Sequence, residues 1–250
     1  SIQLDNNSSL NTKVIMADAV RFVVSVSTTT TGGGEPPIST DTTAEVRGFW
    51  IESWNSGMLS ASQCSTLVND ARKYNFNTII PEIRKISDAY YKSPLEPWAD
   101  NITPPQFDIL STLLSLCHDT SNGKQYIGVH GWMVTMRGWK VGGGVYGRTD
   151  YPTSQMSTWF TQTNTGSMIV ENTYVYDPGH PEAINYLVSV YTSAVSNYPT
   201  MDGVSYDYFR HLANNAGYNT VATTWFAEEY GYAPPTTNND ANWNQWRRDR

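Results

Sequence analysis

The run Met201-Asp202-Gly203-Val204-Ser205-Tyr206-Asp207-Tyr208-Phe209-Arg210 brings a carboxylate, two aromatic rings and a guanidinium together at the end of a short stretch of alternating apolar and small residues. Asp202-Gly203 reads as the turn that feeds it. In a parallel barrel the chemistry collects at the C-terminal ends of the strands, so Asp207 in that place reads as a catalytic carboxylate, with Tyr208 and Arg210 beside it. Asp207 and Arg210 equally fit a structural ion pair or a helix cap, and their spacing does not separate the two readings.

Three earlier segments bear on that choice. Val46 to Ser53 reads as a mainly apolar strand with Glu52, Trp54 and Asn55 at its end. Asn77 to Ile83 reads as a second strand with Glu82, Arg84 and Asp88 at its end, and Tyr126 to Trp132 as a third with His130 and Trp132 at its end. Carboxylates, aromatics and arginine recur at these ends while the strand starts offer only turn residues, which favours the catalytic reading of Asp207. Arg84 and Asp88 are expected to pair and shape the loop after the second strand. Tyr90 and Trp98 are candidates for stacking on sugar rings, or equally for core packing.

The elements between these strands read as helices. Ser60 begins one, with Gln63 as its capping-box partner and Leu67, Ala71 and Tyr74 as its buried stripe. Pro105 begins another, whose apolar face is Phe107, Leu110, Leu113, Leu114 and Cys117. A third runs through Tyr198, with Pro181 in its first turn, Glu182 favouring its positive end, and Asp177 as a cap. Trp243 to Arg250 reads as a helix start. Strand–helix–strand spacing calls for right-handed crossovers and parallel strands. Four such units fit a doubly wound sheet or half of a TIM-type barrel. No glycine-rich phosphate loop follows the first strand, and Gly142-Gly143-Gly144 lacks the strand-to-helix context, so the barrel is preferred. The expected fold class is therefore α/β: the N-terminal half of a (β/α)8 barrel, continuing beyond Arg250. Half a barrel leaves open strand edges, so the 250-residue chain by itself is expected to be inactive and poorly soluble. Val134 to about Tyr176 is long and rich in Gly, Thr, Tyr and Trp, a candidate cleft wall. His211 to Asn242 is a second long excursion.

Upstream, Val14, Met16, Val20, Phe22 and Val24 keep a period of two, so residues 1–26 read as the last strand of a β-domain. Residues 27–44 are a Ser/Thr/Gly/Pro tether, and residues 45–250 form the main domain. The chain opens on Ser1 with neither initiator Met nor signal peptide, which suggests that its true N-terminus lies further upstream. An aromatic share of 13%, with nine Trp and sixteen Tyr, suits a secreted protein that handles carbohydrate, since rings stack on the apolar faces of sugars; it also suits a β-rich core. The net charge of −7 argues against nucleic acid or anionic membrane as partners. No apolar run approaches the roughly 20 residues that span a bilayer. Cys64 and Cys117 read as buried free thiols, and the four scattered histidines have no metal-site spacing, so neither metal nor cofactor is expected.

Taken together, Arg47-Gly48-Phe49-Trp50, the run Glu82 to Tyr91, Ser93-Pro94-Leu95-Glu96-Pro97-Trp98, His130-Gly131-Trp132, Asp177-Pro178-Gly179-His180-Pro181-Glu182, Asp202 to Arg210 and Trp246-Arg247-Arg248-Asp249 resemble, in order and spacing, the glycosyl-hydrolase-like family 10. The resemblance covers about Arg47 to the end. It implies a (β/α)8 barrel acting on polysaccharide, with peptidoglycan glycan strands as one candidate substrate, and Asp207 as the favoured catalytic carboxylate at the end of the fourth strand. One departure is that the family commonly has Gln where Glu82 stands. The run from Lys13 to Val23 similarly resembles the closing strand of a golvesin-type β-sandwich. Glycoside hydrolysis needs a second carboxyl group, about 5–5.5 Å away for retention or about 6.5–9.5 Å for inversion. Glu82 is one candidate; a residue on a later strand is another, and Glu82 fits a buried partner of Arg84 or Arg47 as well. Asp207 is expected as nucleophile or oxocarbenium stabiliser, with Tyr208 and Arg210 holding it or binding sugar hydroxyls. Trp54, Arg84, Asp88, Tyr90, Trp98, His130 and Trp132 are the other substrate-binding candidates. The expected function is an extracellular or cell-envelope glycoside hydrolase. The alternative is a non-catalytic carbohydrate-binding barrel. An amidase or deacetylase would need a metal constellation. The oligomeric state is left open.

Overall fold

The structure, a computed structural model, describes residues 45–141, 157–237 and 240–250. The expected β-sandwich strand, the tether and Gly142-Gly143-Gly144 lie outside them. The described part is a mixed α/β fold built on a four-stranded parallel sheet. Its strands are β1 (Gly48–Ile51), β2 (Thr78–Arg84), β3 (Gly128–Val134) and β7 (Gly203–Asp207), in the spatial order β1-β2-β3-β7. Each of the four strands predicted within residues 45–250 is present, with ends one or two residues from those expected.

Three helices cover one face: α1 (Ala61–Lys73), α2 (Ile109–His118) and α3 (Pro181–Asn197). Ser60 caps α1 through its side chain, and the Gln63 carbonyl accepts from Gly57 N and Leu59 N, one residue earlier than a capping box would place it. The buried stripe of α1 is Cys64, Val68 and Ala71, whereas Tyr74 is exposed. The stripe is rotated because Tyr74 is the C-cap residue and has left helical geometry. α2 begins at Ile109 with Asp108 as its cap, not at Pro105, and its inward face is Ile109, Leu110, Leu113, Leu114 and Cys117. These residues pack with Val190, Tyr191 and Ala194 of α3 against Ile79, Ile83, Val129, Met133 and Val204 of the sheet. Cys64 and Cys117 are buried free thiols, and burial pushes each up to about 12.

Because side chains alternate along a strand, the opposite face carries Trp50, Ile80, Glu82, His130, Trp132, Ser205 and Asp207. The register confirms the row: Glu82 stands beside Trp132, and Trp132 beside Ser205.

The long stretch after β3 is not one loop. It contains β4 (Arg137–Lys140), β5 (Ile169–Val170) and β6 (Thr173–Val175), an antiparallel sheet in the order β4-β6-β5. Thr135 N donates to Asp207 O, so β3 runs on past the end of β7 and carries β4 above the rim of the parallel sheet. Its own core includes Met136, Phe160, Val175 and Tyr176. The later excursion contains α4 (Thr220–Tyr230), which the sequence reading missed, and α5 (Ala241–Arg248) follows. Phe226, Trp243 and Trp246 pack between them. No helix among the described residues is long and apolar enough to cross a membrane.

Candidate active site

Asp207 is the last residue of β7, on the helix-free face, and is partly exposed. Both of its carboxylate oxygens are held. Oδ2 accepts from Trp132 Nε1 at 3.0 Å, and Oδ1 accepts from the backbone N of Tyr208 at 2.7 Å. The second bond requires a sharp turn, and Tyr208 supplies it with φ of 50°, a left-handed conformation rare for a large side chain. The ring that results is flanked by two guanidinium groups, Arg137 at 4.1 Å and Arg210 at 4.9 Å from its centroid. Tyr208 therefore orients Asp207 through its amide, while Arg210 meets the ring of Tyr208. Trp132 is fixed in turn by an edge contact with Trp50, which is half-exposed. The sequence signal for Asp207 was its place at a strand end; the indole donor on the neighbouring strand has no such signature.

Glu82 lies on the same face but is buried. Its Oε2 accepts from Ser53 N at 2.8 Å and Ser53 Oγ at 2.7 Å, on the β1 side of β2 and away from β7. Its partner is Ser53, neither Arg84 nor Arg47. With β3 between β2 and β7, and Asp207 two residues beyond Ser205, the Cα atoms of Glu82 and Asp207 are about 11–12 Å apart from strand spacing and rise alone. Burial raises the Glu82 pKa, partly opposed by the two bonds from Ser53. A raised folded-state value stabilises the fold below the unfolded pKa, and that contribution is lost as pH rises through the raised value. Gln at this position can accept the same two bonds without a charge. Glu82→Gln is therefore expected to flatten the decline in melting temperature between about pH 4 and pH 8 and to melt no lower than the unsubstituted protein at pH 8. Calorimetry at both pH values checks this; a lower melt at pH 8 would mean the charged form is needed.

Several predicted sugar contacts are placed differently. Arg84, Asp88 and Tyr90 are fully buried and cannot touch a polysaccharide. Arg84 pairs with Glu96 at 2.7 Å, not with Asp88, whose carboxylate accepts from the N–H groups of Lys85 and Ile86 and faces Lys85 Nζ at 3.7 Å. Tyr90 donates to Asn101 at 2.9 Å. Trp98 packs on the main core. The segment after β2 doubles back against that strand, with Tyr90 N donating to Ile83 O and Ala89 N to Pro97 O, which places Asp88, Tyr90 and Trp98 inward and covers Arg84. His130 is not at a strand end. It is the third residue of β3, and its ring lies so close over Gly203 that a Cβ there would stand 2.7 Å from Nδ1. Asp177 is not the cap of α3, which is His180; it is buried and accepts from Gly179 N and Asn219 N, tying the α3 entrance to the α4 entrance.

Trp54 remains at the rim, with Lys85 Nζ 4.5 Å from its ring centroid. Trp54, Ile86, Arg137, Lys140, Glu171 and Thr173 wall an open cavity of about 320 Å³ between the rim and the small sheet. The structure thus gathers Trp54, Trp132, Asp207, Tyr208 and Arg210 about the C-terminal ends of the parallel strands and leaves His130, Trp98 and the buried Glu82, Arg84, Asp88 and Tyr90 outside that cluster. Arg137 and Lys140 were not foreseen, since the strand that presents them is too short to show a period.

The fold and site define an α/β protein whose polar cluster lies at the C-terminal ends of parallel strands, on the face left free of helices. More narrowly, the chain belongs to the glycosyl hydrolase-like 10 family, whose family model matches residues 45–250. Among curated relatives it is 25% identical over 257 residues to "Glycosyl hydrolase YngK" of Bacillus subtilis, an alignment covering 95% of this chain and 46% of that protein. It is 25% identical over 202 residues to "Glycosyl hydrolase DigH" of Escherichia coli K12, covering 70% of this chain and 44% of that protein. The chain thus spans about half the length of these relatives. A solved structure of a hypothetical protein from Ruminiclostridium thermocellum superposes with a TM-score of 0.49 at 18% identity, covering 74% of this chain and 92% of that one. An α-amylase from Geobacillus thermoleovorans complexed with acarbose superposes with a TM-score of 0.41 at 14% identity, covering 67% and 39%.

Proposed function

We propose that the parallel sheet is the first half of a (β/α)8 barrel and that the protein is an extracellular or cell-envelope glycoside hydrolase acting on a polysaccharide, with peptidoglycan glycan strands one candidate. The observation that carries this reading is the double-anchored carboxylate of Asp207 at the strand-end rim, in a chain of a glycosyl hydrolase-like family. Asp207 acts as nucleophile or as the charge that steadies an oxocarbenium-like transition state. Trp132 and the Tyr208 amide aim it, and Trp50 and Trp54 offer half-exposed indoles to sugar faces. Glu82 is held by Ser53 on the β1 side of β2, which favours a second carboxyl group from another strand of the barrel, placed about 5–9.5 Å from the Asp207 carboxylate.

The test is release of new reducing ends from a panel of glycans, peptide-free peptidoglycan strands among them, by the full-length protein. Glycan binding without any release would favour the carbohydrate-binding alternative. That reading has one observation behind it, the tethering of Glu82 to Ser53.

A further inference from the structure

The cavity between the rim and the small antiparallel sheet has a charge that the glycosidase reading does not use. Its walls include Arg137 and Lys140 against one carboxylate, Glu171. Among the described residues no Asp or Glu side chain lies within ion-pair distance of Arg137 or Lys140. Arg137 Nε is buried without a hydrogen-bond partner, although the guanidinium plane is occupied by the Tyr208 ring. Lys140 and Lys85 both approach the Trp54 ring, at 5.8 and 4.5 Å from its centroid, and that ring is 46% exposed. Lys85 is committed to Asp88, and the Glu52 carboxylate to Trp54 N and Asn55. In a chain of net charge −7, two cations with no carboxylate partner among the described residues at one mouth are a local reversal of sign. An exposed indole beside an unfilled guanidinium edge offers an apolar platform for a ring and a fork for an anion. Since Arg137 stacks on the residue that follows Asp207, this place adjoins the carboxylate.

We propose that Trp54, Arg137 and Lys140 form a subsite for an acidic sugar residue, one bearing a carboxylate or a sulfate ester, next to the sugar that meets Asp207. The inference rests on the reading of this rim as a glycan site and adds the charge of the substrate. Trp54 stacks on the sugar face, and Arg137 and Lys140 donate to its anion.

The test is calorimetric binding to the full-length protein carrying Asp207→Asn, so that turnover does not consume the probe. The probes are a peptide-free muramic-acid oligomer and hexagalacturonate, each with its carboxyl-reduced neutral counterpart, and a sulfated carrageenan oligosaccharide with its desulfated form. In at least one pair the acidic member is expected to bind about tenfold tighter or more, the scale of charge-assisted hydrogen bonds. The preference is expected to shrink with added salt. A preference confined to the carrageenan pair identifies the sulfate ester; one in the other pairs identifies the carboxylate. Lys140→Gln, at an exposed side chain, and Arg137→Gln are each expected to reduce the acidic-to-neutral ratio. Equal affinity within every pair overturns the proposal, and so does a ratio that neither substitution changes. Acid preference in a protein that releases no reducing ends keeps the subsite and removes the hydrolase. Turnover without acid preference does the reverse.

Discussion

Replacing Asp207 by Asn is expected to lower glycan hydrolysis by the full-length protein by about 10³–10⁴-fold, the scale of losing a positioned ionisable group together with its electrostatic role. The geometry makes the outcome sharper than loss of a charge. Both carboxylate oxygens accept an N–H, one from Trp132 and one from the Tyr208 backbone. An amide has one accepting oxygen, so its NH2 must face one of those donors, and the side chain turns or a bond breaks. Asp207→Glu keeps the charge but displaces it by a methylene, and about 10²-fold is expected to be lost to misplacement alone. Initial rates of reducing-end release, with melting curves to verify folding, provide the measurement. Asn and Glu variants that retain most of the turnover would remove Asp207 from the chemistry.

The largest effect on stability is expected at Arg84. All five of its N–H groups are used: Nε on Glu96, one terminal nitrogen on Val134 O and Thr135 O, and the other on Glu96 and Ser87. Glu96 also accepts from Tyr186 of α3. One guanidinium thus joins the end of β2, the end of β3, the loop after β2 and a helix. Burial acts against its charge, but Glu96 more than offsets this and raises its pKa. Glu96→Ala would strand the cation, at a cost of about 3–5 kcal/mol for a buried pair losing one partner. For a domain of this size that lowers the melting temperature by about 6–20 °C. Arg84→Met with Glu96→Leu together is expected to recover part of the loss, because no buried charge is then left alone. Thermal melts of Arg84→Met, Glu96→Leu and the double variant read the coupling directly; additive losses would show that the two side chains act independently.

The same residue shows what the sequence could and could not reveal. The parallel strands and their helices were legible because burial imposes a period: Ile79 and Ile83 face the helices on β2, and Leu110, Leu113, Leu114 and Cys117 line one side of α2. Asp207 was legible as a charge at the end of such a run. The partner of Arg84 was not. Two carboxylates follow it, Asp88 and Glu96, and spacing favours the nearer one. The chain instead doubles back through the bridges of Ala89 with Arg84 and Trp98 and delivers the farther one. That fold of the loop also buries Asp88 and Tyr90, which look like exposed rim residues when only strand position is counted. The strands of the small sheet are two to four residues long, too short to carry a pattern, so Arg137 and Lys140 could not be assigned to a wall. In α4, Phe226 points inward while its neighbour Trp225 is exposed, which blurs the stripe that would have announced a helix.

Tyr208 carries one last consequence. A non-glycine residue held in the left-handed region costs about 1–3 kcal/mol, and it is borne here by the residue whose amide anchors Asp207. Stability and activity should therefore pull in opposite directions at this position. Tyr208→Gly relieves the backbone but removes the ring on which Arg137 and Arg210 rest, so a protein that melts as high or higher while turning over more slowly is expected. A selection for thermal robustness alone would drift toward glycine at this turn; one for turnover would keep the tyrosine and its strain.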